Sequence, residues 1–329
     1  MSARFLPGHT AVESGDRLAQ FTSDVRYYMM LEPRQLPSRY LYDPLGSALF
    51  DAICWLPWYA ITRAEERLLQ AHAGDVFRRV PSVSTIVELG PGSGQKLHTL
   101  IDRGRPRPAQ LEIHLVDVSH DALARSALTL ASIDGVRIVT HEQPYEAGLA
   151  AFAQQPTGAG RTLVLFLGSN IGNFDPPAAH AFLRAIRAAL APGDGLMLGV
   201  DLVKPEQQLL LAYDDPLGVT AAFNRNLLVR INRELGGNFA VGRFSHRAVW
   251  NEAACRVEMY LVADSGQHVT IPKAQMEFEM AAGEQIWTES SYKYQPQAFV
   301  HMLNTACFHV NTWWIDEAAR FALFLLEAA

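Results

Sequence analysis

Cysteine is scarce in this chain of 329 residues: there are three, Cys54, Cys255 and Cys307. An odd number with no C-x-x-C spacing excludes a disulfide framework and argues against a structural zinc site. Blocks of lysine and arginine are also missing. With 28 basic and 34 acidic residues the formal net charge is -6, so there is no electrostatic footprint for a nucleic-acid partner. No apolar run reaches the roughly 18 residues of a membrane span. The N-terminal MSARFLPGHTAVESGD has no apolar segment of the signal-peptide kind. A soluble, cytoplasmic protein without membrane partners is expected. Repeats and low-complexity tracts are absent as well. Glycine and proline (23 and 18) are at ordinary levels, which leaves a globular chain with core enough for one large or two modest domains.

The middle of the chain alternates short apolar runs with helical segments. STIVEL (84–89), LEIHLVDV (111–118), GVRIVTH (135–141), RTLVLFL (161–167) and GLMLGVDLV (195–203) read as buried strands. QKLHTLIDR, SHDALARSALTLA and AAHAFLRAIRAAL between them carry the helical period. Such alternation predicts β-α-β units and a parallel sheet. Beyond Val203 a helix-rich stretch precedes CRVEMYLVA and QMEFEM, which swap apolar and polar residues at each step, as half-exposed antiparallel strands do. PQAFVHMLNTA then reads as a helix, FHVNTWWID as a strand and EAARFALFLLEAA as a closing helix. The expected organisation is a lead-in over 1–24, an α/β domain over 64–203 and 293–329, and a second, α+β lobe over 25–63 and 204–292.

The strongest local signal is IVELGPGSGQK, Ile86 to Lys96. Gly90, Gly92 and Gly94 fall between a predicted strand and a predicted helix, where missing side chains let the backbone approach a ligand and the helix N-terminus offers free N–H groups. A dinucleotide fingerprint needs G-x-G-x-x-G, and Gln95 breaks it; the P-loop spacing is wrong too. Asp117, ending the second strand, can accept two ribose hydroxyls. A glycine loop without phosphate logic beside a ribose-grade acid fits S-adenosylmethionine. Other chemistries do poorly: His141-Glu142 lacks the second histidine of a zinc helix, no G-x-S-x-G elbow occurs, and the cysteines, next to apolar residues, read as inert core thiols.

Several blocks in order resemble one family, the histidine Nα-methyltransferases of ergothioneine biosynthesis: YLYDPLGSALFDAICWLPWYAITRAE, IVELGPGSGQK, LFLGSNIGNF, GLMLGVDLVK, YDDPLGVTAAFNRNLL, RVEMYL and IWTESSYKY. The resemblance runs from about residue 35 to the end. It implies a Rossmann-like methyltransferase sheet with an inserted substrate-binding lobe, no metal, and three methyl transfers from S-adenosylmethionine to the α-amine of L-histidine, giving hercynine. Carried over residue by residue, it places Tyr42, Gly90, Lys96 and Asp117 at the cofactor, with Lys96 answering the methionyl carboxylate. Where the family has an Asp-Phe pair at the adenine, this chain has Pro144-Tyr145. That leaves Tyr145 against the purine and Glu142 or Gln143 as the alternatives for the exocyclic amine.

On the substrate side the resemblance implies Tyr59, Gly168, Asn173, Tyr213, Met259, Glu289 and Ser291. Asn173 and Tyr213 can donate to the amino-acid carboxylate. Glu289 and Ser291 point the same way if their segment is extended, and can pair with the two imidazole nitrogens. Met259 would pack against the ring. Tyr42 or Tyr59 is expected to accept a hydrogen bond from the attacking amine; an ordinary phenol, with a pKa of about 10, is a weak general base. The chain is expected to act as a monomer on a small molecule. A methyltransferase for another amino acid or a tryptophan-derived amine is the rival reading, and an indole, with its single donor, fits Glu289 and Met259 less well. A nicotinamide oxidoreductase is disfavoured by Gln95.

Overall fold

The computed structural model describes residues 5–7, 14–105, 110–154 and 160–329. The chain divides into two compact units. One comprises 1–11, 61–203 and 293–329, the other 12–60 and 204–292.

The first unit is built on an eight-stranded sheet. Its strand order is Phe5–Pro7, Val136–Glu142, Leu111–Asp117, Val83–Leu89, Arg161–Phe166, Gly195–Asp201, Phe321–Ala328 and Phe308–Asp316. The first six are mutually parallel, and Phe321–Ala328 runs antiparallel to both its neighbours, Gly195–Asp201 and Phe308–Asp316. Isoleucine, valine and leucine dominate the central strands; Gly195–Asp201 is buried throughout. A strand buried on both faces reads as a continuous apolar run, which is why these segments stand out in the sequence. Strand order reverses beside Val83–Leu89: the chain first steps to Leu111–Asp117 on one flank, then returns to Arg161–Phe166 on the other. Such a switch point opens a crevice at the carboxyl ends of the strands, the usual ligand site of open α/β sheets.

Two expectations are corrected in this unit. EAARFALFLLEAA contains a strand, Phe321–Ala328, rather than a helix. Gly195–Asp201 and Phe308–Asp316 pair its two edges, and residues of both faces are buried, which erases the period-two signature. The lead-in is more structured than a loose segment: Phe5–Pro7 pairs with Ile138–Thr140, and Ser14–Tyr28 is a helix of the second unit with Phe21 and Val25 buried. Residues 1–4 and 8–13 of that lead-in lie outside the described residues.

The second unit carries a four-stranded sheet, ordered Arg34–Gln35, Gln285–Tyr292, Arg256–Ala263 and Phe244–Asn251. A two-stranded ribbon, Gln267–Ile271 with Met276–Met280, stands apart from it. Its helices include Pro44–Trp55, Glu206–Tyr213 and Val219–Leu235. Asp43 caps the first of these, accepting the Gly46 N–H at 2.7 Å, and Pro44 suits the first turn because its missing N–H would have no helical partner. Asp-Asp-Pro-Leu-Gly (214–218) separates the other two helices, and Gly236 ends Val219–Leu235 in the left-handed region.

The cysteines are not core thiols. Cys54 and Cys255 are half-buried and Cys307 is exposed. Cys255 and Cys307 have φ of 50° and 64° and sit in turns, so apolar neighbours in sequence did not mean an apolar surround. Among the described residues no helix is long and apolar enough to cross a membrane, and no group of three or more His, Cys, Asp or Glu could hold a metal ion.

Candidate active site

In the first unit the Ile86–Lys96 motif is a strand, a turn and the helix Gln95–Gly104. Gly94 leads into that helix at φ +75°, and a Cβ there would stand 2.9 Å from the backbone of Ser126; glycine alone meets both demands. The two side chains nearest Gly90 follow two different strands. A Cβ on Gly90 would lie 2.8 Å from the Tyr145 hydroxyl and 3.2 Å from the Asn170 amide. Tyr145 opens the helix Tyr145–Ala153, with its ring edge-on to Phe166 at 5.3 Å. Burial pushes its hydroxyl pKa up, and the Asp117 carboxylate adds to the effect. Pro144 is the exposed residue before that helix. Glu142, one alternative for the adenine amine, faces His120 at 3.2 Å, while the Gln143 N–H donates to the Asp117 carbonyl.

Asp117 ends its strand and accepts the Ser119 N–H at 2.8 Å. Burial raises its pKa to about 6, opposed by backbone N–H groups of Ser119 and Val118. Lys96 forms an ion pair with Glu65 at 2.5 Å. Gly168, at φ +77°, donates its N–H to both Glu65 oxygens at 2.9 Å. A Cβ on Gly168 would lie 3.5 Å from Lys96 Nζ. Asn173 ends the short turn Asn170–Asn173 that follows, half-buried. Gly90, Lys96, Asp117, Tyr145 and Gly168 are therefore gathered at the strand ends beside the switch point. Gly168 and Asn173, expected at the substrate, belong to this unit.

Glu88 was passed over in sequence. It is buried between apolar neighbours just before the glycines, and its Oε2 has no hydrogen-bond partner. Burial raises its pKa to about 8; Lys96 pulls it back, and Glu65 and Asp117 push it further. Glu65 was missed as well. An acid on the buried stripe of a helix, between Ile61 and Leu69, and an acid between Val87 and Leu89 in the buried part of a strand are the signals that betray them. The donor set suits a nucleoside with an amino-acid end. Asp117 can accept from a ribose diol, Lys96 supplies a cation for a carboxylate, and the orphaned Glu88 oxygen can accept from a cationic group.

The second unit brings six of the sequence-selected residues together. Gln285–Tyr292 is extended, so Glu289 and Ser291 share a face. Met259 lies directly across from Glu289 on the neighbouring strand and is 1% exposed. The Tyr213 hydroxyl and Ser291 Oγ share a hydrogen bond of 2.8 Å. Tyr59 stands edge-on to Tyr213 at 6.4 Å, Phe50 next at 6.1 Å, and Tyr42 beyond it at 5.5 Å, with Phe223 against both Tyr42 and Phe50. This aromatic file ends at two polar groups, Ser291 and Glu289, on one strand. Tyr213 is held from behind as well: His246 Nε2 bonds its carbonyl at 2.8 Å, and His246 Nδ1 meets the Asn224 amide at 2.9 Å. A carbonyl accepts only, so Nε2 carries the proton and Nδ1 accepts. Burial lowers the His246 pKa, in keeping with that neutral form.

A doubly wound sheet, a glycine loop at its switch point and an acid ending the next strand define a nucleoside-binding class of α/β fold. A family profile described as histidine-specific methyltransferase, SAM-dependent, matches residues 21–328. The chain belongs to that family. It is 42% identical over 303 residues to histidine N-alpha-methyltransferase of Mycobacterium tuberculosis, covering 92% of this chain and 93% of that one. It is 38% identical over 324 residues to the protein of the same name from Mycolicibacterium smegmatis, 98% of both chains. Ergothioneine biosynthesis protein 1 of Schizosaccharomyces pombe is 26% identical over 328 residues, 96% of this chain and 42% of that protein.

Proposed function

We propose that this chain methylates the α-amino nitrogen of L-histidine three times, giving hercynine, with S-adenosylmethionine as donor. When bound, S-adenosylmethionine supplies a sulfonium methyl already activated for in-line displacement. The chain's own residues have only to bind, align and keep water away. In this reading Gly90 admits the cofactor to the backbone, Lys96 meets its carboxylate, Asp117 takes the ribose and Tyr145 lies at the adenosine. Asn173, Tyr213 and Gly168 receive the amino-acid end of histidine. Glu289 and Ser291 pair with the imidazole nitrogens against Met259, and the phenol oxygens of Tyr42 and Tyr59 orient the amine.

The observation that carries the reading is the Met259, Glu289, Ser291 and Tyr213 group: two hydrogen-bonding side chains at alternate strand positions, one opposite a buried methionine and the other bonded to a tyrosine. An imidazole has two polar nitrogens on a flat apolar ring and matches it; an indole has one. Incubation with S-adenosylmethionine and each free amino acid, read by mass spectrometry, should give one-, two- and three-methyl products from histidine alone. Methylation of a tryptophan-derived amine in preference to histidine would overturn the reading. Asn173→Ala and Glu289→Ala should each weaken histidine binding about ten- to hundredfold, the worth of a charge-assisted hydrogen bond. Both should bind S-adenosylmethionine like the wild type. Calorimetry measures both, and mutants that bind histidine normally would remove these residues from the site.

A further inference from the structure

Glu65 belongs to no ligand motif, yet its carboxylate is fully buried and joins three segments of the first unit. It lies on the helix Ile61–Arg79, on the stripe that also buries Ile61, Leu68 and Leu69. A carboxylate there is tolerated only if paired and hydrogen-bonded. Lys96, the second residue of the helix after the glycine loop, supplies the ion pair at 2.5 Å. Gly168, in the loop after Arg161–Phe166, supplies an N–H at 2.9 Å to both oxygens. The neighbouring strand has made room: a Cβ on Gly199 would fall 1.8 Å from Glu65 Oε1. Stability alone does not call for such a pair, since apolar side chains of the same volume serve a core as well or better. Lys96 is a quarter exposed, whereas Glu65 is not exposed at all, so the pair runs from the core to the strand-end crevice.

We infer that Glu65 is a positioning residue for the methyl donor, holding the Lys96 ammonium and the Gly168 loop where the amino-acid end of S-adenosylmethionine is received. This rests on the assignment of Lys96 to the methionyl carboxylate. A lysine has four rotatable bonds, and fixing such a side chain during binding costs about two- to tenfold in affinity. Glu65 meets that cost before the ligand arrives.

The test is a double-mutant cycle read by calorimetric titration of the full chain. Glu65→Gln keeps the shape and an acceptor for the Gly168 N–H but loses the charge. It should weaken S-adenosylmethionine binding about five- to tenfold. In a Lys96→Met background the same change should cost less than about twofold. 5′-Methylthioadenosine, which lacks the amino-acid end, should bind Glu65→Gln and wild type alike. Undiminished S-adenosylmethionine binding by Glu65→Gln, an equal loss in the Lys96→Met background, or an equal loss for 5′-methylthioadenosine would overturn the inference while leaving the Lys96 assignment standing. Wild-type affinity in Lys96→Met alone would remove that assignment and the inference with it. If Glu65→Gln fails to fold, Gly199→Ala, which displaces the carboxylate and keeps both charges, should give the same selective loss; wild-type binding by Gly199→Ala would overturn the inference.

Discussion

Two carboxyl groups at the strand ends of the first unit are held far from the ordinary acid range, and each has a measurable consequence. Glu88 is lifted by burial to about 8 from an ordinary 4.5. Between those values the folded chain keeps a proton that the unfolded chain has lost, so stability falls as pH rises from about 4.5 to about 8. Glu88→Gln removes this dependence. Its melting temperature should exceed that of the wild type at pH 8, with the gap shrinking toward pH 5, and thermal unfolding at both pH values checks it. In its proposed role as ribose acceptor, Asp117, lifted to about 6, works best as the carboxylate. Affinity for S-adenosylmethionine should drop below pH 6, by up to about tenfold per unit for a single required ionisation. Asp117→Asn should bind more weakly and lose that slope; calorimetry across pH 5 to 8 distinguishes the two. The acid ending the second strand was legible because strand-end acids after a glycine loop have a known use. Glu88 and Glu65 were less so, because what sets them apart is burial.

At the scale of elements, local preference and tertiary setting agree along most of the chain and part at its end. Ala, Glu, Leu and Phe in EAARFALFLLEAA favour or tolerate a helix, and no alternation betrays a strand. Phe321–Ala328 is nevertheless a strand, flanked by Gly195–Asp201 and by Phe308–Asp316. Pairing on both edges and burial of both faces outweigh a propensity worth only tenths of a kcal/mol per residue. Leu325 pairs with Met197 on one side and Thr312 on the other. Leu325→Pro removes a ladder hydrogen bond in the middle of the sheet and should cost about 3 kcal/mol or more, leaving little soluble protein. Leu325→Ile should cost less than about 1.5 kcal/mol. Denaturant unfolding of the purified variants, or their soluble yield, decides this. In Gln285–Tyr292 the sequence carries only a condition: Glu289 and Ser291 point the same way if the segment is extended. It is a strand, with Glu289 and Ser291 on one face and Met259 across from Glu289.

For the molecule as a whole, each unit is assembled from separated stretches of chain. The last strands, Phe308–Asp316 and Phe321–Ala328, complete a sheet begun before residue 90. Truncation after Cys307 would therefore expose an edge of Gly195–Asp201, a strand buried throughout. An unpaired apolar edge invites aggregation, so the truncated chain should be insoluble, whereas Cys307→Ser, at an exposed turn, should leave yield and melting temperature unchanged. Expression and centrifugation of both test this. A net charge of -6 without basic clusters suits a small zwitterionic substrate that needs no electrostatic steering.

The amino-acid sequence by itself determined the alternating α/β order, the glycine turn, the strand-end acid and the family, because each is written in contiguous residues: apolar period, missing side chains, blocks in fixed order. Only the tertiary structure decided what distance in sequence conceals. It joined Glu65 to Lys96 and Gly168, set Tyr213 on Ser291, made a strand of the closing segment and put Cys307 at the surface. Burial, ion pairing and strand pairing are relations between distant residues, and composition or periodicity within a window carries no record of them.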